Sequence, residues 1–218
     1  VRWRNLLFDF DGTLVDSASL HAEAYREALA ITGSGEPRVF DYVPLKGLTT
    51  REAFMQLGIV DAIALEACVG RKQKLYREAV QAGRVTMYDG ARALLGASIK
   101  AGVVNFLVTS GSPGSVNLAL EVLGIKELFT GLITASDVAA GKPAPDPYLA
   151  CVARYGLTPE ESLVIEDAPS GVAAARAAGL CVAGVHDSAV AQIANWYFAS
   201  LAELSIALQL GNWPEAPR

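Results

Sequence analysis

A short apolar strand that runs straight into two aspartates constrains this chain more than any other feature: Leu6-Leu7-Phe8-Asp9-Phe10-Asp11-Gly12-Thr13-Leu14-Val15-Asp16. A buried strand ending in two carboxylates one residue apart, with a glycine directly after, carries two like charges to the rim of the fold. They repel each other, and something positive must sit beside them. A hard cation such as Mg²⁺ takes carboxylate and carbonyl oxygens and bridges readily to phosphate. Acidic strand ends of this kind therefore point to metal-assisted phosphoryl chemistry.

The 218 residues, 52% apolar with a net charge of −5, are enough for one core and a small second module. No apolar run approaches the ~18 residues that span a bilayer. Asp9 and Asp11 fall where a signal peptide would be uninterrupted, which argues against export and for no membrane partner. Cys68, Cys151 and Cys181 are odd in number and widely spaced, as buried reduced thiols are, so a cytoplasmic setting is expected. Lys and Arg are scattered and outnumbered by acids, and no nucleic-acid partner is expected.

Apolar runs with strand character fall at 6–10, 103–108, 131–134, 163–165 and 181–185, with a weaker sixth at 196–198. Between them lie helix-start signals: Ser112-Pro113, Asp146-Pro147, and a capping-box pattern at Thr158-Pro159-Glu160-Glu161. Gly102, Gly124, Gly156 and Gly179 supply helix ends. Strands alternating with helices imply an α/β, doubly wound, Rossmann-like parallel sheet. One connection breaks the rhythm, because ~70 residues after Asp16 hold no convincing strand, far beyond an ordinary loop. They read as helices over 17–31, 49–57 and 61–82, with turn material at 32–37 and at Gly47. The expected division is a core of 1–16 and 87–218 and a helical cap domain of 17–86, joined by linkers near 15–17 and 84–88. Lys72 and Lys74, in Arg71-Lys72-Gln73-Lys74, read as the solvated face of an amphipathic helix.

Ligands bind outside the carboxyl ends of the strands in such a sheet. Those ends offer Asp9 and Asp11, Thr109 and Ser110, Lys142 in Gly141-Lys142-Pro143, and Glu166 and Asp167. The set supplies carboxylates for a divalent cation, hydroxyls and turn N–H groups for phosphate oxygens, and one ammonium. Glu166 reads equally well as the partner of a nearby arginine, and Ser112 as a helix cap.

With these motifs in order, the chain resembles the haloacid dehalogenase superfamily of phosphohydrolases, in the branch with a helical cap after the first strand. The resemblance runs over about residues 4–207 through 9–16, 108–110, 141–147 and 165–171. It implies that Asp9 is a nucleophile forming an aspartyl-phosphate, and that Asp11 is general acid and then base. Thr109, Ser110 and Lys142 would hold the phosphate. Mg²⁺ would be held by Asp9, the Asp11 carbonyl and Asp167, with Glu166 direct or through water. Halide-displacing members lack a carboxylate at the position of Asp11, so an oxygen leaving group is implied. His21 and Arg51 are the cap residues expected to meet a small phosphorylated metabolite, a sugar or polyol phosphate. The alternative is a β-phosphoglucomutase-like phosphomutase, suggested by His21 and Lys46-Gly47. Arg51 lies four residues after Gly47, against three in the mutase loop, and Ser17 replaces its threonine.

Overall fold

The computed structural model describes residues 3–30 and 40–210. Six parallel strands form the central sheet: β1 (Asn5–Phe8), β4 (Val104–Val108), β5 (Gly131–Ile133), β6 (Ser162–Glu166), β7 (Cys181–Val185) and β8 (Trp196–Phe198). Their order is β5-β4-β1-β6-β7-β8, with β1 central between β4 and β6. The chain reverses direction across the sheet at β1, which is where a doubly wound sheet opens its crevice. β1 is apolar on both faces, as a central parallel strand must be. Leu6 and Phe8 point into one core and Leu7 into the other. Each fully buried side chain of this kind contributes roughly 1.5–3 kcal/mol, which fixes the strand and whatever its end carries.

The helices α4 (Ala91–Lys100), α5 (Pro113–Leu123) and α8 (Leu201–Leu210) cover the Leu6 face. The helices α6 (Asp146–Tyr155) and α7 (Pro169–Ala177) cover the Leu7 face. Gly124 and Gly156 close α5 and α6 in the left-handed conformation, as the sequence suggests. Two start signals read differently in three dimensions. Thr158 opens only a single 3-10 turn, Pro159–Glu161, with no side-chain cap, because β6 begins at the next residue. Asp146 is the first residue of α6 rather than its cap, Pro145 standing before it.

The long insertion folds as α1 (Ala18–Ala30), α2 (Thr50–Gln56) and α3 (Ala62–Gln81), packed around Tyr25, Ala28, Leu45, Phe54, Leu65 and Cys68. Thr49 and Glu52 form a reciprocal capping box on α2, and Asp61 caps α3. Ile31 and the expected turn at 32–37 lie outside the described residues. The two linkers pair with each other as an antiparallel ribbon of β2 (Val15–Asp16) and β3 (Thr86–Met87). A two-residue strand is too short for any hydrophobic period to announce it. The cysteines are free thiols, with Cys68 and Cys151 buried. Among the described residues no helix is long and apolar enough to cross a membrane.

Candidate active site

The carboxyl ends of β1, β4 and β6 converge. Lys142 is fully buried, and its ammonium donates to Asp9 Oδ1 (2.6 Å), Glu166 Oε1 (2.6 Å) and the Val108 carbonyl (3.0 Å). Burial pushes this ammonium down, but the Asp9 and Glu166 charges and hydrogen bonds more than reverse that and hold it charged. The partner that Glu166 neutralises is therefore a lysine rather than an arginine. Tyr148 donates to the same Glu166 oxygen (2.8 Å), and the Ala168 N–H reaches the other at 3.3 Å. Gly171 permits this crowding, since a Cβ there would stand 1.8 Å from Glu166 Oε1.

Asp9, Glu166 and Asp167 bring carboxylate oxygens within 4.8 Å of one another, all three buried. Burial, followed by the repulsion of Glu166 and Asp167, raises the Asp9 carboxyl well above its ordinary value against the pull of Lys142. Asp167 is raised for the same reasons, although the Thr13 hydroxyl donates to it at 2.8 Å. Three carboxyl groups against one ammonium leave a charge imbalance that a divalent cation would correct, and an all-oxygen donor set suits a hard ion such as Mg²⁺. Gly12 is needed beside them. Its φ is +90°, and a Cβ would lie 2.2 Å from Asp167 Oδ2.

Asp11 turns the other way, toward the insertion. Its Oδ1 accepts from Ser17 (2.7 Å) and Tyr76 (3.2 Å), and His21 Nε2 stands 2.9 Å away in a poorly aligned contact. The imidazole is stacked on Tyr76, with centroids 4.5 Å apart and rings 5° from parallel. Lys72 donates to its other nitrogen, Nδ1, at 2.9 Å, which selects the Nε2–H tautomer facing Asp11. Burial first, then the Lys72 ammonium, push His21 toward the neutral form. Burial also pushes Asp11 up, but attraction and hydrogen bonding from His21, the Ser17 hydroxyl and the Lys72 charge overcome it and hold the group ionised.

Lys72 corrects the sequence reading. It is buried, not solvated, with its ammonium 4.7 Å from the Tyr25 ring centroid. The signal was available, because Leu65, Cys68, Lys72, Tyr76 and Ala79 follow helical spacing along the buried stripe of α3. Burial pushes its pKa down to about 8, against the pull of Asp11. A lysine whose folded value lies below its unfolded one destabilises the fold below that value, and the penalty disappears as pH rises toward the unfolded value. Lys72→Met is therefore expected to stabilise the protein at pH 7 by about 1–3 kcal/mol, net of the lost bond to His21. The gain should shrink between about pH 8 and 10.5 while kcat falls at every pH. Denaturant melts across pH check this, and a variant less stable than the parent at pH 7 would refute it.

Thr109 lies at the end of β4, buried, its hydroxyl accepting from the Gly111 N–H at 3.0 Å. Ser110 donates to the Gly47 carbonyl of the insertion at 2.6 Å. Ser112 sits in the cap position of α5, but its hydroxyl bonds Ser115 instead of a backbone N–H. Three further contacts hold the insertion over the strand ends: Lys46 to Asp187 (2.9 Å), Ser170 to the Lys46 carbonyl (2.9 Å), and the Gly141 N–H to Glu52 (3.1 Å). The cavity enclosed between Asp9, Asp11, His21, Lys72, Thr109 and Ser110 is about 40 Å³. Arg51 is not brought to it. The guanidinium pairs with Glu66 on the exposed side of the insertion and lines a neighbouring cavity.

A buried carboxyl cluster around a buried ammonium, with a further carboxylate two residues after Asp9 held under a helical insertion, marks the strand ends as an enzyme site suited to an anionic substrate. The sequence narrows this further: the chain belongs to the haloacid dehalogenase-like hydrolase family, whose family model matches residues 6–185. It is 35% identical over 189 residues to hexitol phosphatase A of Escherichia coli (strain K12), covering 85% of this chain and 84% of that protein. It is 33% identical over 186 residues to the fructose-1-phosphate phosphatase YqaB of the same organism, covering 82% and 94%. The crystal structure of β-phosphoglucomutase from Clostridium difficile superposes with a TM-score of 0.84 over 96% of each chain at 22% identity, a likeness of fold.

Proposed function

We propose that this phosphoric monoester hydrolase is a Mg²⁺-dependent phosphatase of sugar or polyol phosphates, working through an aspartyl-phosphate on Asp9 beneath a helical cap of residues 17–86. The observation that carries the reading is the Asp9–Lys142 contact with Asp11 two residues on, held under α1 and α3. The activities named for the hexitol and fructose-1-phosphate phosphatases support the substrate class. A cavity of about 40 Å³ admits only a few waters, so an ester enters when the cap moves away from the core of 1–16 and 87–218.

In the first step an Asp9 carboxylate oxygen bonds to phosphorus and the ester oxygen leaves, taking a proton from Asp11. Lys142, Thr109 and the Ser110 N–H orient the phosphoryl oxygens. In the second step water attacks phosphorus, its proton passes to Asp11, and the Asp9–phosphorus bond breaks. Asp11 under the closed cap is ionised, the form the second step requires. The negative charge of an ester bound beside Asp11 would favour its protonated form, and that form supplies the proton the first step needs. Bound Mg²⁺, held by Asp9, Asp167 and the Asp11 carbonyl, would offset the charge that an anionic ester meets at these carboxylates. The donors on both Glu166 oxygens favour its reaching the ion through water.

Phosphate release from a panel of sugar, polyol, glycolate and nucleotide monophosphates tests the reading. EDTA is expected to lower turnover by about 100-fold or more, and Mg²⁺ to restore it and raise the melting temperature. Undiminished turnover in EDTA would refute the metal dependence. Negligible release from protein that binds Mg²⁺ would refute the phosphatase reading.

A further inference from the structure

On the phosphatase reading above, we propose that His186 is a positioning residue: its imidazole anchors the turn that holds Asp11, and both linkers of the insertion, to the end of β7, and so sets Asp11 and Asp167 for the reaction. The backbone is the first sign. His186 is a non-glycine residue with a φ of +60°, and the Asp187 N–H donates across it to the Val185 carbonyl at 2.7 Å. It is thus the middle of a γ-turn in its strained, left-handed form. Such a conformation persists where the surroundings over-determine it. Here β8 does so: the His186 N–H donates to the Phe198 carbonyl (3.3 Å), and the Tyr197 hydroxyl donates to the His186 carbonyl (3.2 Å).

The side chain reaches the place where the chain enters and leaves the insertion. Its Nε2 stands 3.1 Å from the Thr13 carbonyl, and because a carbonyl only accepts, Nε2 carries the proton. The ring lies on Tyr88, with centroids 4.1 Å apart and planes 25° apart. Thr13 precedes β2 and Tyr88 follows β3, so one side chain touches both linkers. The next residue, Asp187, takes Lys46, and the same turn meets the insertion at a second point. Thr13 is where this grip reaches the chemistry. Residues 10–15 close on themselves through the Leu14 and Val15 N–H groups on the Phe10 carbonyl and the Gly12 N–H on the Val15 carbonyl. None of these bonds uses the Thr13 carbonyl, which His186 answers. Asp11 lies within this turn, and the fully buried Thr13 hydroxyl donates to Asp167 Oδ1 at 2.8 Å. The residue that His186 holds is therefore the one that holds Asp167. His186 also shares a cavity of about 400 Å³ with Asp11, Gly12 and Asp167.

Two variants of the full chain separate positioning from plain stability. His186→Gly releases the backbone strain but removes donor and ring, and it is expected to melt within about 3 °C of the parent. Amide exchange over residues 10–16 and 84–88 should nonetheless rise about tenfold or more, and kcat fall about tenfold with KM moved by less than about threefold. His186→Gln puts an N–H near the place of Nε2 without the ring, and should return both exchange and kcat to within about threefold of the parent. Exchange and kcat within about twofold of the parent in His186→Gly would overturn the proposal. So would a rise in exchange spread evenly over the chain, or a His186→Gln variant no nearer the parent than His186→Gly. A wild type that releases no phosphate would count against the phosphatase reading alone, because the order of exchange rates does not depend on turnover.

Discussion

Asp9→Asn is expected to lower phosphate release by at least about 10⁴-fold on every ester the protein turns over, the scale seen when a covalent nucleophile is removed. The amide keeps the shape and can still accept from Lys142 through its carbonyl oxygen, the contact that measures 2.6 Å in the parent. It has no charged oxygen to bond phosphorus. The fold should not suffer. Burial and the neighbouring Glu166 and Asp167 already press Asp9 toward the neutral form, and a neutral side chain there relieves both. In metal-free buffer the variant is expected to melt at or above the parent temperature, and the order should reverse in Mg²⁺, which stabilises the richer carboxylate set more. Phosphate release with paired thermal melts checks this. Activity within tenfold of the parent would remove Asp9 from the chemistry.

The strand ends were legible because each is announced twice, by an apolar run that stops and by a polar residue that begins. Asp9, Thr109 and the Glu166-Asp167 pair follow such runs directly, and all are buried where the sheet opens. The helical insertion was legible from length alone. What escaped the sequence is pairing across long separations. Nothing near Tyr148 foretells that its hydroxyl reaches Glu166, or near Tyr76 that its hydroxyl reaches Asp11, 65 residues away. Lys72 was misread because a charge in a basic run is taken as solvated, although its position on the stripe of α3 matches Cys68 and Tyr76. Arg51 shows a different limit. The loop before it faces the core, and the long side chain lines the neighbouring cavity while pairing with an acid, Glu66, on its own side of the insertion. A helix's direction follows from its periodicity, whereas a long side chain's direction follows from whichever opposite charge lies within reach.

Lys142→Met should expose how much of this fold depends on balancing its own active site. The ammonium is fully buried and answers two carboxyl groups and one carbonyl, so its removal leaves Asp9, Glu166 and Asp167 together with no cation among them. Breaking a buried ion pair in this way costs about 3–5 kcal/mol, more than most core truncations of one methylene. The pH dependence has a definite sign. Lys142 is held charged in the fold, so across the neutral range the parent keeps its full contribution, which is lost only as pH rises through the raised value. In the variant Asp9, raised even in the parent by burial, loses the cation that pulled it down and takes up a proton more readily when folded. Folding that binds a proton is favoured by acid, so the deficit against the parent should be largest near pH 8 and narrow toward pH 5. Mg²⁺ should recover part of it by supplying the missing charge, while turnover stays low because nothing then fixes the Asp9 oxygen or the phosphoryl group. Denaturant melts at three pH values, each with and without Mg²⁺, separate these effects. A loss under about 1 kcal/mol, or a deficit that widens in acid, would mean that Lys142 does not balance the two carboxyl groups it contacts, Asp9 and Glu166.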